Sequence, residues 1–135
     1  MLKGQLIHPE IMELVSLCGH GSKILIADGN YPLKAKTGSA GRVYLGIKPG
    51  LPTVTDVLAA LIDTVNFESY QIMVPDEGAD PSIFQEFKAM LPELPSESLS
   101  RNDFYIACTD PSVELAISTG ETRTFANILL TVGCA

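Results

Sequence analysis

The sequence predicts an α/β fold: a three-layer α/β/α arrangement, helices flanking a mixed central sheet, in a single domain spanning residues 1–135. Three observations carry this expectation. Short apolar runs of strand type alternate along the chain with segments of helical periodicity, the pattern of a layered α/β domain. At 135 residues the chain is long enough to bury one core but not two. Although 46% of its residues are apolar, no apolar run approaches the roughly 20 residues a membrane span requires.

The elements follow in order. Pro9 suits the first position of a helix, where its missing N–H costs nothing. Ile11, Leu14, Val15 and Cys18 then recur at helical spacing, and Gly19 supplies the stop. "KILIA" reads as a buried strand ended by Asp28-Gly29, and "RVYLG" as a second after a Gly- and Lys-rich loop. From Thr53, a ready cap, Val54, Val57, Leu58, Leu61, Ile62 and Val65 form one apolar stripe, either core or subunit interface. "SYQIMV" reads as a strand, and Asp80-Pro81 starts a helix whose apolar face is Ile83, Phe84, Phe87, Met90 and Leu91. "SRNDFYIACT" mixes β-forming residues with a helix-start signal, Ser100 three residues before Asp103. "SVELAIST" alternates Val113, Leu115 and Ile117 at strand period, "NILLTV" is a further strand, and "GETRTFA" between them reads as a hairpin loop.

Charge and cysteine usage narrow the function. A net charge of −7 argues against nucleic acid, which demands clustered Lys and Arg. "MLKGQLIHPE" has no signal-peptide core, and three widely spaced cysteines fit reduced thiols, so a cytoplasmic location is expected. His8 and His20 lack metal-ligand spacing, no Cys pair forms a zinc knuckle, and "GSAGRVYLG" lacks the residues of a phosphate-binding loop. "PDEGADP" lacks a full calcium loop and reads as a turn, and Cys18 reads as core rather than nucleophile. Neither metal nor cofactor is therefore expected.

One stretch invites chemistry. "CGHGSKILIADGNYP" sets His20 between glycines before a buried strand and Asp28 just after it. In open α/β sheets ligands gather beyond the carboxyl ends of strands, where Asp28 would lie. A histidine after a helix C-terminus is favoured as imidazolium and suits general acid–base work. Equally, a histidine in a Gly-rich turn serves as a cap or loop residue, and Asp-Gly is a common turn. Eight residues at about 3.3 Å each separate the two by more than roughly 20 Å. Within one subunit they do not meet, and one site would need two chains.

The same stretch, with "MLKG" and a Pro-Glu helix before it, resembles the ribose pyranase/fucose mutarotase family, small cytoplasmic proteins that interconvert ring forms and anomers of free sugars. "RNDFY" is similar to the fucose branch's Arg-x-x-Phe-Tyr, and "TGETRTFANILLTVG" to its Gly-Glu, loop, aromatic-x-Asn and apolar strand. The resemblance covers nearly the whole chain and is weakest from Lys34 to Pro95. It implies His20 as proton donor, Asp28 as sugar ligand and partner base, and Arg101, Phe125, Ala126 and Asn127 as sugar contacts. It also implies a homo-oligomer, a decameric ring with pockets between subunits. Hemiacetal opening needs one proton delivered to the ring oxygen and another removed from the anomeric hydroxyl, so an imidazole and a carboxylate suffice. One departure stands out. The family's usual tyrosine before x-Asn is here Phe125, which stacks on a sugar but carries no proton. That leaves three expectations: an aldose mutarotase or pyranase, with Tyr31, Tyr105 or water as the alternative relay; a sugar-binding homologue without catalysis; or an oligomeric scaffold.

Overall fold

A computed structural model describes residues 1–135. The chain forms α1 (Pro9–Leu17), β1 (Lys23–Ala27), β2 (Gly41–Tyr44), α2 (Val54–Ile62) and β3 (Phe67–Met73). It continues through α3 (Ile83–Met90), β4 (Ser96–Leu99), α4 (Arg101–Cys108), β5 (Val113–Ser118) and β6 (Ile128–Val132). The six strands make one sheet in the order β2-β5-β1-β6-β3-β4. Pairings β2–β5, β5–β1 and β3–β4 are parallel, while β6 runs antiparallel to both its neighbours. Five strands therefore end at one edge of the sheet, and β6 begins there.

Helices cover both faces, as a mixed sheet buried on two sides demands. On one face Ile24, Ile26, Leu115, Ile117, Ile128 and Leu130 pack in one core with Ile11 of α1, Leu58 and Leu61 of α2 and Phe87 of α3. The other face buries Leu25, Ala27, Ala116 and Leu129 beneath Phe104 and Cys108 of α4 and the segment carrying Tyr31 and Leu33. The expected α/β/α layering is present. The Val54–Val65 stripe is core: Val54, Val57, Leu58 and Leu61 are buried.

Local signals account for most boundaries. Pro9 stands at the start of α1, and the His8 Nδ1 accepts the Ile11 N–H. Thr53 and Asp56 cap α2 reciprocally, each side chain accepting the other's backbone N–H. Ser100 Oγ accepts the Asp103 N–H and settles 101–108 as helix despite its β-forming residues.

Three expectations change, and one strand is new. The helix α1 ends at Leu17 with extended Cys18 as its cap, so Cys18 lies outside the helix and Gly19 follows the cap. Val113 does not share a face with Leu115 and Ile117, because the β1–β5 register shifts between Lys23 and Ile24 and turns Val113 to the other core. "GETRTFA" is no hairpin loop. Strand β1 lies between β5 and β6, so the connection crosses over the end of β1, where the Thr119 N–H donates to the Ala27 carbonyl (3.1 Å). Finally, Ser96–Leu99 is an edge strand whose Ser-Glu-Ser-Leu sequence carries no apolar alternation.

Candidate active site

The site begins where β1 stops. Asp28 leaves the strand at the edge where β6 enters, and β1–β6 pairing, whose last pair is Ile26 with Ile128, brings it beside Asn127. The two side chains close a reciprocal ring. Asn127 Oδ1 accepts the Asp28 N–H at 2.9 Å, and Asn127 Nδ2 donates to Asp28 Oδ2 at 3.0 Å. Both residues are only 3% exposed, so this pair is a rigid floor rather than a surface contact. Asp28 Oδ1 also accepts the Asn30 N–H at 2.9 Å. Gly29 is required here, since a Cβ would come within 3.1 Å of the Glu121 carbonyl that crosses above it.

A cleft of about 220 Å³ opens over this floor. Arg101, at the first turn of α4, holds its guanidinium 5.4 Å from the centre of the Phe125 ring, a cation–π geometry. Phe125 itself has φ 61°, a left-handed conformation that a bulky side chain seldom adopts. Tyr31 and Tyr105 meet edge-to-face at 5.4 Å and both line the cleft. The structure thus brings Asp28, Arg101, Phe125 and Asn127 together; Ala126, fully buried, supports them from behind. Asn30, Met73 and Thr124 also line the cleft.

His20 is not among them. It precedes β1 at the opposite edge of the sheet, 61% exposed, with Nε2 3.0 Å from Glu68 Oε2 at the start of β3. The long separation expected from the strand's length is what the fold produces.

Electrostatics distinguish the acid, the phenol and the thiol. Burial raises the Asp28 carboxyl above its ordinary value, opposed by the Asn30 N–H, the Asn127 amide and the N–H groups of Tyr31 and Ala126. A carboxylate so placed is poised to take up a proton more readily than a solvated one. Tyr31 is different. Its hydroxyl donates to the Lys36 carbonyl (3.0 Å), and burial pushes its ionisation upward, so it is a fixed neutral phenol. Cys18, half-buried at the C-cap of α1, is pushed up to about 11 by burial and then by the Glu114 carboxylate, which makes it a poor nucleophile. No group of three His, Cys, Asp or Glu side chains converges as metal ligands would.

Chemically, the cleft offers what a polyol needs: a carboxylate, an amide with one N–H and one lone pair still available, a guanidinium and an aromatic face. A model of the RbsD / FucU transport protein family matches residues 1–135.

The chain belongs to this family.

Its relatives include a D-ribose pyranase of Paracidovorax citrulli, 28% identical over 133 residues and covering 98% of both chains. Another, a D-ribose pyranase of Serratia proteamaculans, is 29% identical over 140 residues with the same coverage. Among solved structures, RbsD of Bacillus subtilis complexed with D-ribose aligns with a TM-score of 0.89 at 25% identity, covering 100% of this chain and 99% of its own. The fucose mutarotase of Streptococcus pneumoniae, in complex with L-fucose, aligns with a TM-score of 0.81 at 25% identity, covering 96% and 94%. The RbsD/FucU relatives include enzymes that interconvert sugar ring forms and anomers. No helix of this chain is long and apolar enough to cross a membrane.

Proposed function

We propose that this chain is an aldose mutarotase or pyranase, acting on a free D-ribose-like or L-fucose-like monosaccharide by general acid–base catalysis, with residues 1–135 as one mutarotase domain. The observation that carries the reading is the Asp28–Asn127 floor beneath Arg101 and Phe125, in a member of a family whose relatives bind these two sugars. Asp28 accepts the anomeric hydroxyl's proton. Asn127 and Arg101 hold ring hydroxyls, Phe125 packs against the apolar face of the sugar and Ala126 shapes the wall. His20 donates a proton to the ring oxygen.

Because His20 and Asp28 lie at opposite edges of the sheet, the donor reaches the sugar as His20 of the partner subunit, in a cytoplasmic homo-oligomer of the decameric ring type. A cleft lined for binding but holding neither histidine of its own chain supports that arrangement. A sugar-binding homologue without catalysis, or a scaffold, is the less favoured reading, because the named relatives are enzymes. Replacement of the tyrosine by Phe125 then shifts the relay to Tyr105 or solvent.

Saturation-transfer NMR of anomer exchange, with ribose, fucose and galactose at sub-stoichiometric protein, tests this. Exchange above the spontaneous rate that disappears in His20→Ala is the expected result. Exchange that persists in His20→Ala removes the assigned donor, and the absence of acceleration with every sugar removes the activity.

A further inference from the structure

The connection from β5 to β6 carries a charged cluster that touches no part of the cleft yet precedes its wall directly. Glu121 is only 3% exposed, and both of its carboxylate oxygens accept hydrogen bonds from within the chain. Its Oε1 accepts the N–H groups of Thr122 (3.0 Å) and Arg123 (3.1 Å) and the Arg123 Nε (3.1 Å). Its Oε2 accepts from Arg123 Nη2 at 3.0 Å, completing a two-pronged guanidinium–carboxylate fork. The remaining prong, Arg123 Nη1, donates to Glu86 on α3. The next residues along are Thr124, Phe125 and, two further on, Asn127, all lining the cleft. Phe125 is the one non-glycine residue with positive φ, a conformation that persists only where its surroundings impose it.

We propose that Glu121, Arg123 and Glu86 form a positioning clip that sets sugar affinity, by tying the wall formed by Phe125 and Asn127 to α3. The clip fixes both ends of the short segment in which Phe125 is strained: β6 anchors Asn127, and the fork anchors Arg123. Glu86 fixes the fork relative to the core, because α3 is buried through Ile83, Phe84 and Phe87. Burial pushes the Glu121 carboxyl up, but the side chain and N–H of Arg123 outweigh it and hold it below the ordinary range, so the clip stays charged at neutral pH. The inference rests on reading the cleft as the sugar site.

Two variants test it. Glu86→Gln removes the tether to α3 and leaves the fork intact. Arg123→Lys keeps the charge but cannot form the fork. Exchange kinetics should show KM raised about five-fold in Glu86→Gln and further in Arg123→Lys, with kcat within about two-fold of the parent. Amide ¹⁵N relaxation should show 122–127 loosened in the same order. A KM equal to the parent's in both folded variants, with only a lower Tm, overturns the clip and leaves it a structural contact. Unchanged relaxation and unchanged shifts of Phe125 and Asn127 overturn it as well. If the parent exchanges no sugar, the mutarotase reading fails and the sugar role of the clip fails with it. The relaxation measurement still separates that outcome from a clip that does not hold the loop.

Discussion

Asp28 is nearly out of water, yet three backbone N–H groups and an amide face its carboxylate, so it can hold charge at a cost. Its raised pKa has two consequences of opposite sense. As a base it loses its proton-accepting form earlier on acidification than a solvated carboxylate, whose ordinary value is about 3.9. The acid limb of kcat/KM should therefore lie above that value, which a pH–rate profile of the parent would read. For stability, a group with a raised folded pKa contributes below the unfolded value and loses that contribution as pH rises through the folded one. Asp28 thus weakens the fold at neutral pH, a cost borne at the site. Phe125→Tyr would return a phenol to the wall, and should raise kcat about ten-fold if the relay through Tyr105 is the weak step; an unchanged kcat would place the relay elsewhere. At this scale the sequence was informative in patches. Asp28-Gly and the aromatic-x-Asn stretch were visible, the latter only through resemblance. Asn30, Thr124 and Glu68 carried no signal, because a polar residue in a turn or strand looks the same whether or not a cleft opens beside it.

Among the elements, α2 shows how much a cap decides. Thr53→Ala removes one arm of a reciprocal cap and should cost about 1 kcal/mol in urea unfolding. Phe104→Ala, beneath α4, should cost about 3–5 kcal/mol, and it should also weaken sugar binding, since α4 carries Arg101 and Tyr105. Glu121 has the reverse sign from Asp28: with its pKa lowered, its stabilisation is present above the unfolded value and fades as pH falls through the folded one. The stability gap between parent and Glu121→Gln should accordingly be widest at neutral pH and shrink on acidification. Helices with caps and stripes were legible in the sequence. Strand β4 was not, because an exposed edge strand has no buried face to write into its pattern. Nor was the pairing of β5, since a one-residue register shift moves Val113 between cores without changing its composition.

For the molecule as a whole, the proposed pairing of His20 with Asp28 requires an active unit larger than one chain, since the two lie at opposite edges of the sheet. Co-refolding equal amounts of His20→Ala and Asp28→Asn chains should restore about a quarter of parental exchange, the share of sites drawing His20 and Asp28 from intact sources. Each variant alone should remain inactive. No recovery on mixing would place both residues in one chain's site. Layering and strand content could be read from the sequence at this scale, while strand order could not, because apolar runs do not record their neighbours.

The order has a bearing on how the chain is made. Strand β6 is sixth in sequence but joins β2-β5-β1 to β3-β4 in space. During synthesis the two half-sheets must wait, with apolar edges unpaired, until residues 128–132 have emerged. Nascent chains are exposed to aggregation for nearly the whole of translation, and the same late strand delivers Asn127 to Asp28. The Asp28–Asn127 floor cannot exist on a partly made chain.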